Sequence, residues 1–155
     1  MSSLGVGDQA PQFTLPGTAP GGGGVQEFSL PDFAGRPVVI AFYPGDDTSV
    51  CTKQLNDYNE GMEAFNGLDA QILGISPQDV ESHDRFSAKY GFKFPLLADT
   101  DKVVAREYGT LGPIGFPRRS VFIVDGGGVI RYGHRAIAGL TFRPASELVE
   151  VLQRL

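Results

Sequence analysis

Cys51 is the only cysteine in a chain of 155 residues, and its neighbours could turn it into a nucleophile. It stands in the run Phe42-Tyr43-Pro44-Gly45-Asp46-Asp47-Thr48-Ser49-Val50-Cys51-Thr52, directly after the apolar stretch 38–43 that reads as a buried strand. Pro44 and Gly45 break that strand. Downstream, Leu55, Tyr58, Met62 and Phe65 recur at helical spacing, and Gly67 sits where a helix should end. Cys51 is therefore predicted in the first turn of a helix that springs from a core strand. Backbone N–H groups and the positive end of the helix dipole converge there and stabilise an anionic sulfur. Thr48, three residues earlier, is the predicted N-cap, with its hydroxyl directed back at the Cys51 region. Pro44 would shield the sulfur from water, and Thr52, Lys53 and Gln54 are expected to shape the rim. Each residue also has a plain structural reading: a buried apolar thiol, a helix cap and a strand terminator. Their spacing at one strand-to-helix junction favours the reactive reading.

The remaining elements must hold that junction in place. Phe13 and Leu15 alternate as in a short strand, and 25–30 reads as another. Between them, Gly17 to Gly24 is a flexible loop; it lacks the Lys-Ser/Thr ending of a phosphate-binding loop. A turn over 32–37 leads into the central strand. A strand is predicted over 71–75, then a helix with Ser76 as N-cap, Pro77 in its first position and Asp79 in its third. That helix carries Val80, His83, Phe86 and Tyr90 on one face and stops at Gly91. Its partly apolar face makes His83 a packing residue; neither His83 nor His134 is given a catalytic role. A short strand over 94–98 follows, then a helix capped by Asp99 or Thr100 and ending near Tyr108-Gly109. Residues 111–117 read as a Gly- and Pro-rich loop. A strand over 119–125 turns through Gly126-Gly127-Gly128 into 129–132, a hairpin signal. The last helix begins near Pro144 and carries Leu148, Val151, Leu152 and Leu155. Strands alternating with helices, then a hairpin and a helix, indicate an α/β architecture with a mixed central sheet flanked by helices. One domain over 1–155 suits this length.

Composition narrows the function. A net charge of −5 disfavours nucleic acid, whose binding depends on clustered Lys and Arg. No stretch approaches transmembrane length, and the N-terminus lacks the pattern of a signal peptide, so a cytoplasmic protein away from membranes is expected. One cysteine and two histidines make no usual structural zinc site, and no metal or cofactor is expected.

Pro44, Thr48 and Cys51 fit a P-x-x-x-T-x-x-C pattern, which resembles the signature of the peroxiredoxins. The opening Gly7-Asp-Gln-Ala-Pro-Gln-Phe-Thr-Leu15 is similar to their start, and Cys51-Thr-Lys-Gln-Leu55 resembles the bacterioferritin comigratory, or peroxiredoxin Q, branch. The resemblance implies a thioredoxin-like fold with the N-terminal additions of that family. It also implies a thiol-dependent peroxidase that reduces hydrogen peroxide and organic hydroperoxides through a Cys51 sulfenic acid. Arg119, before Phe122-Ile-Val-Asp125, aligns with the family's active-site arginine, with Arg118 one residue off as the fallback. Adjacent strand residues point to opposite faces, so only one of the two should reach the sulfur. Many members of the branch carry a second cysteine five residues after the first. Here that position is Asn56, so no internal disulfide can form. Regeneration then requires an external thiol: a thioredoxin- or glutaredoxin-like protein, or a low-molecular-weight thiol. The branch implies a monomer or small homodimer. The rival reading is a redox-inactive thioredoxin-like binding or chaperone module. Ordinary dithiol exchange is weak, because the C-x-x-C partner position is Gln54, and a phosphatase loop is weak, because Asp57 stands where its arginine belongs.

Overall fold

Apolar residues on both sides of the central strand decide the architecture. In the computed structural model, which describes residues 4–113, 115–136 and 142–155, β3 (Val38–Phe42) is buried along its whole length. Val39, Ala41 and Tyr43 enter one core cluster and Val38, Ile40 and Phe42 the other, as the two-residue period of a strand requires. β3 pairs in parallel with β4 (Gln71–Ser76) and antiparallel with β6 (Ser120–Val124). Outward from β4 lie β5 (Leu96–Ala98), β1 (Thr14–Thr18) and β2 (Val25–Ser29); beyond β6 lies β7 (Ile130–Arg135). The result is a seven-stranded mixed sheet in the order β2-β1-β5-β4-β3-β6-β7. Leu55, Tyr58 and Cys51 of α1 (Ser49–Glu60), Phe65 of α2 (Met62–Gly67), Phe86 of α3 (Val80–Tyr90) and Leu148 of α5 (Ala145–Gln153) cover the first face. Val104 and Ala105 of α4 (Val103–Glu107) cover the second. This is the α/β arrangement expected from the alternation of patterns.

Several boundaries differ from expectation, each for a tertiary reason. Gly17 lies inside β1 and not in the glycine loop, because a Cβ there would stand 2.9 Å from the Leu96 carbonyl oxygen. The helix after Cys51 is interrupted at Gly61, giving α1 and α2 where one helix to Gly67 was expected. A Cβ on Gly61 would meet the Ala145 Cβ at 3.2 Å and a Phe65 ring carbon at 3.3 Å, so the break admits α5. Ser76 is not a helix cap: it ends β4, paired with Ala98. Asp79 caps α3 instead, accepting the Ser82 N–H at 2.8 Å. Asp99 serves α4 from outside the N-cap position, where Lys102 sits in a left-handed conformation. Its buried carboxylate accepts the N–H groups of Val104 and Ala105 at 3.2 and 2.9 Å. The loop expected over 111–117 includes residue 114, which lies outside the described residues.

Candidate active site

Sheet register brings two distant segments together at one end of β3. Phe42 pairs with Ser120, so Arg119, just before β6, comes level with Tyr43, just after β3. Val121 and Ile123 belong to the cluster that contains Cys51, and Arg119 shares their face by strand alternation. Arg118 falls on the other side, where its Nη2 donates to the Gly109 carbonyl at 3.5 Å. The Arg119 backbone is held too, because its carbonyl accepts the Ala136 N–H at 2.9 Å.

The sulfur of Cys51 is completely buried in the first turn of α1. Arg119 Nη1 donates to it at 3.0 Å, and to Gln54 Oε1 at 3.0 Å. Gln54 lies three residues along the helix and so on the same face as Cys51. Its Nε2 donates to the Tyr58 hydroxyl at 3.1 Å, and that hydroxyl donates to the Arg143 carbonyl at 2.9 Å. Burial pushes the Tyr58 phenol well above its usual range, which keeps it a proton donor in this chain. A guanidinium that is only 4 % exposed must be met by acceptors or anionic charge. The sulfur and the Gln54 oxygen supply part of that compensation. The first-turn N–H groups of α1 have no carbonyl one turn earlier within the helix, and they add donors at the sulfur's end.

Thr48 occupies the N-cap position with an extended backbone, but its hydroxyl makes no capping bond. The expected cap contact is replaced by donation to the Gly45 carbonyl at 3.1 Å, which leaves the oxygen's lone pairs for an incoming donor. Pro44 is half-buried at the start of the same loop. Gln54, expected on the rim, is instead buried under Arg119; its place one helical turn from Cys51 was the signal that could have found it. His83, expected as a packing residue, does lie on the inward face of α3, yet it is fully buried against the Asp46 carboxylate. Nothing local in the sequence joins those two residues.

Residues 6–133 match the family model described as AhpC/TSA. The chain belongs to the AhpC/TSA family. Among its relatives, peroxiredoxin Q, chloroplastic, of Oryza sativa subsp. japonica is 37% identical over 154 residues, covering 96% of this chain and 65% of the rice protein. This chain thus spans under two thirds of that relative's length. A bcp protein of Coxiella burnetii is 36% identical over 135 residues, covering 83% of this chain and 86% of its own. These are the peroxiredoxin Q and bcp names of the branch that the motif around Cys51 resembles. Among solved structures, Enterococcus faecalis AhpC superposes with a TM-score of 0.89 at 26% identity, covering 99% of this chain and 92% of that one. Mycobacterium bovis AhpC gives 0.87 at 28%, covering 99% and 93%. This AhpC/TSA member therefore has the peroxiredoxin form of the thioredoxin-like fold, and it carries a single cysteine.

Proposed function

We propose that the chain is a thiol-dependent peroxidase that reduces hydrogen peroxide and organic hydroperoxides through Cys51. The observation that carries this reading is the Arg119 guanidinium at 3.0 Å from a buried sulfur at a helix N-terminus. The thiolate attacks the nearer peroxide oxygen along the O–O axis. An S–O bond forms, the O–O bond breaks, and the departing oxygen takes a proton to leave as water or an alcohol. Negative charge builds on that oxygen, and fixed donors aimed at developing charge contribute most to such a step. Arg119 and the Cys51 N–H supply those donors, while Thr48 Oγ1 accepts the hydroperoxide O–H. Pro44 keeps water from the sulfur.

The Cys51 sulfenic acid has no cysteine partner within the chain. An external thiol condenses with it, releasing water and forming a mixed disulfide; a second thiol then restores Cys51 and leaves as part of a disulfide. The reductant is a thioredoxin- or glutaredoxin-like protein or a small thiol, and the enzyme works in the cytoplasm, where such thiols stay reduced. It acts as a monomer or small homodimer.

The test is intact-mass spectrometry after a brief pulse of equimolar hydrogen peroxide with a sulfenic-acid trap present. Rapid, stoichiometric labelling of Cys51 is expected, slowed in Thr48→Val and lost in Arg119→Ala. A Cys51 that reacts no faster than a free thiol would sink the peroxidase and leave a redox-inactive binding module.

A further inference from the structure

The loop between β3 and α1 carries Pro44 and Thr48, and its central residues are secured by side chains of α3. Asp46 is an acid in a polar loop, where solvation would be the ordinary outcome. Its side chain is instead only 3 % exposed. Three side chains reach its carboxylate, and a fourth its backbone. The Tyr43 hydroxyl donates to Oδ1 at 2.6 Å and the Ser82 hydroxyl to Oδ2 at 2.7 Å. His83 Nδ1 lies 2.7 Å from Oδ2 and 2.9 Å from Oδ1. Gln78 Oε1 accepts the Asp46 backbone N–H at 3.1 Å. The next residue, Asp47, has a φ of 58°, a conformation that costs energy outside glycine and asparagine-like positions. It is held by Lys89 at 3.0 Å and the Tyr90 hydroxyl at 3.1 Å, both from the end of α3.

Hydrogen positions in the pair follow from its partners. His83 Nε2 faces the Leu97 carbonyl at 3.0 Å, which can only accept, so Nε2 carries a hydrogen. Nδ1 faces a carboxylate, and a contact this short requires another hydrogen between nitrogen and oxygen. Whichever atom holds it, imidazole and carboxylate together are neutral. The loop thereby gains a polar anchor without placing an uncompensated anion in the buried region that also contains Cys51. Tyr43 belongs to the same core cluster as Cys51, and burial first, then the Asp46 carboxylate, hold its phenol well above its usual range.

We infer that Asp46 and His83 are positioning residues for the thiol site, a buried proton-sharing pair that fixes the Pro44–Thr48 loop over Cys51 and so sets the rate of the peroxide step. The inference rests on the peroxidase reading, and its test separates the two. Two reactions of Cys51 are timed by acid-quenched intact mass: with hydrogen peroxide, which needs the loop's geometry, and with iodoacetamide, which needs only an accessible thiolate. In Asp46→Ala the peroxide reaction should slow ten- to a hundredfold while alkylation speeds up. Asp46→Asn should stay within about threefold of wild type in both, because its amide can donate to His83 Nδ1 and Ser82 and accept from Tyr43. Tyr43→Phe keeps the ring packing and loses one bond, and should slow the peroxide reaction three- to tenfold.

Parallel slowing of both reactions in Asp46→Ala, or rates within twofold of wild type, would overturn the inference. So would an Asp46→Asn as slow as Asp46→Ala, which would make charge, not position, the determinant. If Asp46→Ala does not fold, Tyr43→Phe decides, and a peroxide rate within twofold of wild type overturns the role. A wild-type protein inert to peroxide defeats the peroxidase reading, while faster alkylation of Asp46→Ala would still establish that the pair holds the loop closed.

Discussion

Arg119 directs one nitrogen, Nη1, at both the Cys51 sulfur and the Gln54 side-chain oxygen. A lysine would present a compact ammonium on a flexible stem, without the rigid guanidinium plane that fixes where Nη1 points. Arg119→Lys is therefore expected to fold, since the charge stays, and to react with hydrogen peroxide about a hundredfold more slowly, as when a fixed donor to developing charge is lost. Gln54→Leu preserves volume but removes the acceptor that aims the guanidinium. A hydrogen bond to a charged group is worth about 1.5–3 kcal/mol, so a loss of roughly ten- to a hundredfold in the same rate constant is expected. Rapid-quench mass spectrometry on the two variants checks both; an unchanged rate in Gln54→Leu would mean that Arg119 is held by other contacts. Cys51, Thr48 and Pro44 were legible in the sequence because their signals are local: a strand breaker, a cap type and a helical period within one short run. Gln54 was readable only by asking what lies one helical turn beneath the sulfur. The Asp46–His83 contact was not readable, because it depends on β4, α3 and β5 lying beside β3.

At the scale of elements, tertiary pairing overrode local rules. Ser76-Pro77-Gln78-Asp79 has the sequence of a capped helix start, but pairing of Ser76 with Ala98 keeps Ser76 in the sheet and passes the cap to Asp79. Order and type of elements were legible from periodicity, while such ends were not. Helix α1 also bears on the cysteine that the branch often carries at the position of Asn56. Residues five apart on an α-helix have Cα atoms roughly 8–9 Å apart, beyond the ~7 Å that a disulfide spans without backbone movement. In Asn56→Cys, the introduced sulfur should therefore bridge to Cys51 after peroxide only as α1 unwinds. Oxidation is expected to lower the helical circular dichroism of the variant and leave wild type unchanged. A bridge formed with full helicity would refute this. On β7, burial first, and then the Arg143 guanidinium, hold the His134 imidazole below its ordinary pKa. The folded state thus binds that proton less readily than the unfolded chain, so the stability it contributes is present above the ordinary histidine range, about 6.5, and lost as pH falls through the lowered value. His134→Gln should lose less melting temperature than wild type between pH 7 and 5; an identical slope would argue against it.

For the molecule as a whole, the decisive fact is a single sulfhydryl in 155 residues. A sulfenic acid formed at Cys51 has no second cysteine to capture it, and its complete burial opposes a bridge between the sulfurs of two copies. Without an external thiol the sulfenic acid must therefore wait, and further peroxide carries it to the sulfinic acid, which ordinary thiols do not reduce. One equivalent of hydrogen peroxide should add about 16 Da, and excess peroxide about 32 Da, with peroxide consumption stopping after roughly two equivalents per chain. Adding a small thiol or a reduced thioredoxin-like protein before the excess should hold the mass at its reduced value and sustain turnover. The candidate whose presence preserves Cys51 at the lowest concentration is the reductant that the site is built to accept. A covalent dimer accumulating on a non-reducing gel would reverse the argument, because it would place the resolving sulfur on a second copy of this chain and require that the buried Cys51 open far enough for two such copies to meet.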